Sequence, residues 1–409
     1  MKETLKIAIF HNLPSGGAKR ALYDHVNYLV SQGHEIDVFV PETANETFLP
    51  LAEMVNEFKV FPVKTGSLKS WVYSKLNPKT PNTELISIKD LESSQKDIAT
   101  SINDRSYDVV LSEQDRFTMS PFILKYIKIP AVYYCQQPLR NDKILEEISN
   151  DTLKHSNFIK KAFNQHNLNN TFKIDSINAK HAGYILSNSY FSRESILRTY
   201  GLNSFVSYLG IDTDMFKPLN MPSEDFVLSV GSCTPTKGYD FTIRSLALIK
   251  EKIRPKFIIV SNHSPVEWKN YIENLANKLE VKLTILDLVN DKELTKLYNK
   301  AKIIIYAPYL EPFGLIPIES MSCGTPVVAV KEGGVRETLS NDETGLLVDR
   351  DETLFAQAIV ALLTDSEKRR EMSKNAISTV QKFWTVKHAG KRLLDHLNRA
   401  IDIHISSEN

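Results

Sequence analysis

The sequence predicts an α/β fold built from two doubly wound, Rossmann-like sheets that face each other across a cleft. Short apolar runs rich in β-branched residues alternate with amphipathic segments along the chain. Such runs are typical of parallel strands that are buried on both faces. The alternation occurs in two series, separated by a polar, proline-bearing stretch at 218–224 that is typical of a linker. Because such sheets bind ligands at the carboxyl ends of their strands, we expect the site to lie between the two halves.

The first series begins with a strand at 5–10 and a helix at 18–32, whose leucine and valine residues lie at helical spacing. The other strands predicted in this half are 35–40, 107–112, 131–135 and 184–189. The second series contains a helix at 239–251 and predicted strands at 225–231, 256–261, 282–287, 302–307 and 326–330. From about Leu354 the chain is predicted to be helical, with a break at Phe383-Trp384 before a last amphipathic helix.

Length, composition and charge narrow the class of protein. A chain of 409 residues has the length of two or three domains. Its 42% of hydrophobic and 24% of charged residues are typical of a soluble globular protein with a sizeable core. The net charge of +1 gives no general attraction to nucleic acid. The cysteines are odd in number and far apart, which argues against disulfides and zinc and for a reducing compartment. They are Cys135, Cys233 and Cys323.

The sequence also bears on location. The run at 5–10 is too short for the core of a signal peptide, and no apolar run approaches the ~18 residues that span a bilayer. We therefore expect a cytoplasmic protein, either free or bound peripherally at the inner membrane face. Two stretches rich in lysine and aromatic residues, 64–80 and 154–173, are candidate contacts with an anionic membrane or a lipid-linked acceptor. The alternative is that they are solvated helix faces.

The segment 308–334 carries two glutamates eight positions apart. Glu311 lies in a loop bounded by proline and glycine, and Glu319 lies inside a helix predicted to begin at Gly314 and Leu315. A helix start presents unpaired N–H groups and the positive end of a dipole, which suit a phosphate or a sugar oxygen. A carboxylate one turn further on suits a diol such as ribose, since it accepts two hydroxyl hydrogen bonds. The arrangement predicts a site for a nucleotide that carries a sugar; the alternative is two solvated surface charges.

The whole string, PYLEPFGLIPIESMSCGTPVVAVKEGG, resembles the E-x7-E segment of retaining family-4 glycosyltransferases, the glycosyltransferase group 1 enzymes of GT-B fold. The resemblance implies a metal-independent, retaining transfer, typically of a hexose, from a nucleoside diphosphate sugar to a hydroxyl acceptor. The donor nucleotide would be UDP or GDP, with UDP favoured, and the acceptor a glycan, a lipid-linked sugar or a small molecule. Neither a metal nor a cofactor is implied. Glu311 would contact the sugar, Glu319 would hold the ribose, and Phe313 to Leu315 would line the donor site.

The resemblance also implies a domain organisation. Residues 1–218 would form an acceptor domain and 219–387 a donor domain, with the last helix, 388–409, packing back on the first domain. Gly16-Gly17, between the first strand and the first helix, resembles the GGA.R loop that lines this cleft in the family. Glycines at such a turn let a ligand approach the backbone closely. The alternative is an ordinary tight turn.

Lys237 follows the strand 225–231 and precedes a helix start, where it can place a cation on a diphosphate; the alternative is a solvent-facing lysine. In the family an arginine accompanies this lysine, but this chain has Ser232 at that position. Ser232 could donate a neutral hydrogen bond, or another cation could substitute. The candidate substitutes are Arg20, Arg140 and Arg336.

Gln136 and Gln137 stand where family members often have a histidine near the transferred sugar. Glutamine can hydrogen-bond sugar or acceptor hydroxyls but cannot titrate; the alternative is two polar loop residues. Asn188-Ser189 also resembles a family segment and is interpreted as structural. Glu337, in a GG..E loop, is interpreted as serving the structure of the second domain.

Two other functions compete with the transferase. A two-carboxylate glycosidase would use Glu311 and Glu319 differently, but the helix placement and the diglycine loops favour nucleotide binding. The departures at Ser232 and Gln136 leave open a catalytically impaired, glycosyltransferase-like binding subunit. Such a subunit should release no nucleoside diphosphate from a sugar nucleotide, whereas an enzyme should release it slowly.

Overall fold

The computed structural model describes residues 4–63, 86–139 and 170–408. The stretch 64–80 and most of the stretch 154–173 lie outside these ranges, as does Arg140. The described residues form two parallel sheets with interleaved helices, which confirms the predicted fold class.

The first sheet has seven parallel strands in the order β3-β2-β1-β4-β5-β6-β7. The chain therefore reverses its direction of winding between β1 and β4. The strands are β1 (Lys6–Asn12), β2 (Glu35–Pro41), β3 (Glu57–Phe61), β4 (Val109–Asp115), β5 (Ala131–Cys135), β6 (Tyr184–Ser187) and β7 (Phe205–Val206). Their helices are α1 (Gly17–Ser31), α2 (Ile88–Asn103) and α3 (Tyr190–Tyr200), with a 3-10 turn at Phe122–Lys125.

The second sheet repeats this winding with six strands in the order β10-β9-β8-β11-β12-β13. The strands are β8 (Phe226–Val230), β9 (Lys256–Ser261), β10 (Leu283–Asp287), β11 (Ile303–Tyr306), β12 (Val327–Val330) and β13 (Gly345–Val348). The helices are α4 (Tyr239–Ala247), α5 (Val266–Lys278), α6 (Asp291–Lys300), α7 (Leu315–Ser322), α8 (Val335–Thr338), α9 (Glu352–Thr364), α10 (Ser366–Phe383) and α11 (Val386–Glu408). Short 3-10 turns lie at Pro235–Lys237 and Glu251–Ile253.

Strand β1 illustrates why continuous apolar runs form strands that are buried on both faces. Ile7 and Ile9 pack in one core with α1, while Ala8 and Phe10 pack in another core with Ile98 of α2. Successive side chains of a strand point to opposite faces, so a continuous apolar run is needed when helices cover both. The predicted helix 239–251 is too long, since α4 ends at Ala247.

The last helix, α11, packs on the first sheet and on α1. Arg392 donates a hydrogen bond to the carbonyl of Tyr208 at 3.2 Å, and the Tyr184 hydroxyl lies 2.8 Å from Nδ1 of His396. Gly390 lies so close to α1 that an added Cβ would be 2.1 Å from Cδ1 of Tyr28. These contacts support the proposal that the end of the chain belongs to the first domain. In the described part of the chain, no helix is both long and apolar enough to cross a membrane.

Candidate functional site

Two helices, one from each half of the molecule, begin at glycines and approach each other at their first turns. The N-cap of α1 is Gly16, with φ of 141°, and the N-cap of α7 is Gly314, with φ of 113°. Both φ angles lie in the positive region, which favours glycine. Neither helix start is capped by a side chain. A Cβ added at Gly17 would lie 3.4 Å from the Leu315 side chain. Two sets of helix N–H groups therefore converge at the carboxyl ends of strands from both sheets.

Lys237 and Glu311 form an ion pair beside these helix starts. The Lys237 Nζ lies 2.8 Å from the Glu311 Oε2, and the side chains are 23% and 29% exposed. Lys237 ends the 3-10 turn after β8, and Glu311 lies in the loop after β11, the neighbouring strand. The pair therefore lies where the second sheet reverses its winding, which is the expected place for a ligand.

The Glu311 loop is held in place by the diglycine that follows β12. The amide of Gly334 donates a hydrogen bond to the Glu311 carbonyl at 2.8 Å. A Cβ at Gly333 would lie 2.3 Å from the Glu311 carbonyl oxygen, and one at Gly334 would lie 2.1 Å from the Pro312 carbonyl oxygen. This diglycine is needed because the two loops touch backbone to backbone. The neighbouring Phe313 has a buried side chain between Tyr208 and Trp384, so it can offer a ligand only its backbone.

Glu319 lies inside α7, as predicted, and the residue is only 4% exposed. Its Oε2 accepts a hydrogen bond of 2.7 Å from the hydroxyl of Tyr298 on α6. Burial raises the pKa of Glu319, and the opposing influences of Arg20 and Tyr298 reduce this shift. The sequence did not point to Tyr298, because nothing in its segment indicates which carboxylate it meets.

Arg20, one of the three candidate cations, lies on the Glu319 side of the site. Its Nη2 lies 2.6 Å from the Oδ1 of Asp291. This ion pair joins α1, which belongs to the first sheet, to α6, which belongs to the second. The second candidate, Arg336, donates its Nε to the Gly333 carbonyl at 2.9 Å. Ser232 has its hydroxyl 3.4 Å from that of Thr234. The structure therefore brings Lys237 and Arg20 to the site from opposite sheets.

Gln136 is committed to internal hydrogen bonds and is 6% exposed. Its Nε2 donates to both carboxylate oxygens of Glu113 at 3.4 Å, and its Oε1 accepts from Asn188 at 3.1 Å. Gln137 accepts a hydrogen bond from the Gln114 side chain through its carbonyl, and its own side chain is half-buried. Of the two glutamines, Gln137 is therefore better suited than Gln136 to contact a sugar or an acceptor. Glu113 is fully buried, and burial raises its pKa to about 8.

Replacing Glu113 by glutamine should change how stability depends on pH. The folded-state pKa of Glu113 is about 8 and the ordinary value is 4.5, so between these values the folded chain keeps a proton that the unfolded chain loses. The wild type should therefore lose stability relative to Glu113→Gln as pH rises from 5 to 8, by on the order of 3 kcal/mol. Denaturant unfolding of both proteins at several pH values measures this difference. A difference independent of pH would contradict the assignment.

A buried charged cluster beside the Gly16-Gly17 loop was not predicted. The Lys19 ammonium pairs with the Glu46 carboxylate, whose Oε1 also lies 3.0 Å from Nε2 of His11. Burial lowers the pKa of His11 to about 4, so the imidazole is neutral near pH 7. The cluster fixes the loop after β2 beside the glycines, since the other Glu46 oxygen accepts the amide of Leu51 at 3.0 Å.

Glu337 makes structural contacts that extend beyond the second domain. Its carboxylate accepts backbone hydrogen bonds from the start of α3, beside the first sheet. Asn188 and Ser189 lie in the same junction. Within the described ranges, no group of three or more histidine, cysteine, aspartate or glutamate residues is arranged to hold a metal ion.

Comparison with known proteins agrees with this geometry. Residues 210–379 match the family described as glycosyl transferases group 1. A D-inositol 3-phosphate glycosyltransferase of Corynebacterium efficiens is 34% identical over 38% of this chain and 39% of its own length. An uncharacterised glycosyltransferase of Methanocaldococcus jannaschii is 28% identical over 44% of this chain and 46% of its own length. The chain thus spans about half, or less, of the length of the curated relatives it matches.

Solved structures match over nearly the whole chain. HepE of Anabaena in complex with UDP and glucose has a TM-score of 0.69 at 18% identity, covering 96% of this chain and 99% of that chain. The sucrose-phosphate synthase of Thermosynechococcus elongatus has a TM-score of 0.71 at 17% identity, covering 98% and 100%. At such identities the likeness shows the fold alone, which is the GT-B arrangement of two facing α/β domains.

Proposed function

We propose that this chain, whose residues 210–379 match the family described as glycosyl transferases group 1, moves a sugar from a nucleoside diphosphate sugar to a hydroxyl acceptor. The observation that carries the proposal is the convergence of two glycine-started helices, α1 and α7, beside the Lys237–Glu311 pair. Helix N–H groups and a lysine are suited to a diphosphate, because both place positive charge on its oxygens. HepE was solved with UDP-glucose, which favours UDP as the donor nucleotide of this chain.

Each residue has a role in this proposal. Lys237 and the amides at Gly16-Gly17 and Gly314–Leu315 stabilise negative charge on the departing diphosphate as the anomeric C–O bond breaks. Glu311 binds hydroxyls of the sugar and favours the positive charge that grows on its ring. Glu319 accepts hydrogen bonds from the ribose. Arg20 lies beside Glu319 and balances its charge, so it does not directly replace the arginine absent at Ser232.

The proposal includes retention of configuration and independence of metal, which the resemblance of the 308–334 segment implies. The acceptor is a hydroxyl of a glycan, a lipid-linked sugar or a small molecule. We propose an active enzyme rather than an impaired binding subunit. The pairing of Lys237 with Glu311 after neighbouring strands, and the presence of Glu319 in the helix that follows Glu311, support this choice.

Release of nucleoside diphosphate tests the proposal. The chain, incubated in turn with UDP-, GDP-, ADP- and dTDP-sugars in the presence of EDTA, should slowly hydrolyse at least one of them. The released sugar, observed by NMR before it mutarotates, should keep the configuration of the donor. Binding of a nucleotide without any hydrolysis would favour the binding subunit, and loss of activity in EDTA would refute metal independence.

Replacing Glu319 by alanine should weaken binding of the donor nucleotide by about tenfold, because hydrogen bonds to a charged group contribute roughly 1.5 kcal/mol or more. Titration calorimetry with UDP and with its 2′,3′-dideoxy analogue tests whether the lost contact is with the ribose hydroxyls. The wild type should bind UDP more tightly than the analogue, and Glu319→Ala should bind the two with equal affinity. Tyr298→Phe is the control, since it removes the internal hydrogen bond and keeps the carboxylate. A variant that retains the full preference for UDP would contradict the ribose assignment.

A further inference from the structure

The carboxylate of Glu337 joins the two halves of the molecule. It accepts hydrogen bonds from the amides of Tyr190 at 2.8 Å and Phe191 at 2.9 Å, which are the first two residues of α3. It also accepts one from the hydroxyl of Tyr208 at 2.9 Å. Hydrogen bonds between N–H groups and a carboxylate are short and stronger than neutral ones, and the dipole of α3 favours a negative charge at this end.

The same helix start also holds the loop that carries Glu311. Ser189, the N-cap of α3, donates its hydroxyl to the carbonyl of Pro312 at 2.5 Å. The Ser192 hydroxyl lies 3.4 Å from the same oxygen. The start of α3 therefore contacts the second domain twice, at Glu337 and at the residue that follows Glu311.

These contacts are linked within the second domain by the diglycine. The Gly334 amide donates to the Glu311 carbonyl at 2.8 Å, and the Glu337 amide donates to the Gly334 carbonyl at 2.9 Å. A short path of contacts therefore runs from Glu337 through Gly334 to Glu311 and its partner Lys237. Because the loops touch without space for a Cβ, we expect a displacement of Glu337 to displace the Glu311 loop.

We propose that Glu337 is a positioning residue, which binds the start of α3 and so sets where the Glu311 loop stands between the two domains. This inference rests on the proposed function, because the position of Glu311 matters to the sugar that it contacts. Glu337 itself touches no reacting atom; it acts through Glu311. Misplacement of a reacting group by about 1 Å can cost about 100-fold in rate, so a contact of this kind can affect turnover strongly.

Kinetics and amide exchange of Glu337→Ala test the proposal. The turnover number for donor hydrolysis should fall ~10- to 100-fold, while the dissociation constant of UDP should change less than about threefold, a free-energy change under ~0.7 kcal/mol. Amide exchange should accelerate in peptide 188–195, which contains the donors to Glu337, and also in peptide 308–316, which contains Glu311. Tyr208→Phe, which removes one of the three hydrogen bonds and keeps the ring, should give a smaller change in the same direction.

Glu57→Ala is the matched control. The Glu57 carboxylate also accepts two hydrogen bonds within its own domain, both from Arg105. Glu57 is the first residue of β3, so this pair lies at the amino end of an edge strand, away from the site. Glu57→Ala should leave turnover and both peptides unchanged. The proposal is overturned if peptide 308–316 exchanges normally in Glu337→Ala, or if turnover is unaffected while exchange accelerates. Absence of hydrolysis by the wild type would instead refute the proposed function, and the response of peptide 308–316 would still decide whether Glu337 positions the loop.

Discussion

Replacing Lys237 by methionine should lower donor turnover by about 100- to 1000-fold, with a smaller effect on stability. In the proposed transfer, negative charge develops on the departing diphosphate, and loss of one preorganised donor to such a charge typically costs about 3 kcal/mol. The family that the sequence resembles has an arginine where this chain has Ser232, so we expect the loss to lie at the upper end of that range. In the folded protein the variant loses one partly buried ion pair with Glu311, which is worth on the order of 1 kcal/mol. Steady-state release of nucleoside diphosphate and thermal unfolding measure the two effects.

Lys302→Met provides the control for this experiment. The Lys302 Nζ also lies 2.8 Å from a carboxylate, that of Asp225, and its side chain is 28% exposed. Both residues precede strands of the second sheet, β11 and β8, so the pair lies at the amino ends of those strands, away from the predicted site. Loss of either ion pair should cost similar stability, but only loss of Lys237 should reduce turnover. Turnover of Lys237→Met within threefold of the wild type would contradict its role at the diphosphate.

The sequence predicts the interior strands well, because a strand that is buried on both faces has a continuous run of apolar residues. The strand at 256–261 has the predicted bounds, and α1 begins and ends within one residue of its prediction. The missed strands are β3, β7 and β13, which lie at sheet edges. An edge strand is covered on fewer sides, so it needs no long apolar run; β3 has the sequence EFKVF and is largely half-exposed.

Individual partners at the site could not be predicted to the same extent. The segment 308–334 places Glu319 on a helix and Glu311 in a loop, as the structure has them. Glu311, however, meets Lys237 from 74 positions away, and Glu337 meets Tyr190 from 147 positions away. These pairs depend on the order of the strands in the sheet and on how the domains pack. A local sequence pattern specifies neither. The sequence thus identifies the residue types of the site, and the packing decides which of them touch.

Replacing Gly334 by alanine should disrupt the Glu311 loop more than the small size of the added methyl group suggests. Gly334 has φ of −75° and ψ of −14°, values that alanine adopts without strain. Space alone is therefore the obstacle: the added Cβ would lie 2.1 Å from the Pro312 carbonyl oxygen and 2.7 Å from the Phe313 Cα. Both are backbone atoms, so no side-chain rotation relieves the clash. Forcing a methyl group into such a contact costs about 1–3 kcal/mol or more, or else displaces the loop.

Either outcome should reduce donor turnover, because the displaced segment carries Glu311 and leads into the start of α7. Gly183→Ala is the control: an added Cβ at Gly183 would meet no heavy atom within 4 Å. Gly334→Ala should lower the melting temperature or accelerate amide exchange in peptide 308–316, and it should lose most turnover in both cases. If it matched Gly183→Ala in melting temperature, exchange and turnover, the close packing of the diglycine against the Glu311 loop would be refuted. The positioning path from Glu337 would then be broken at Gly334, since that path depends on the same contact.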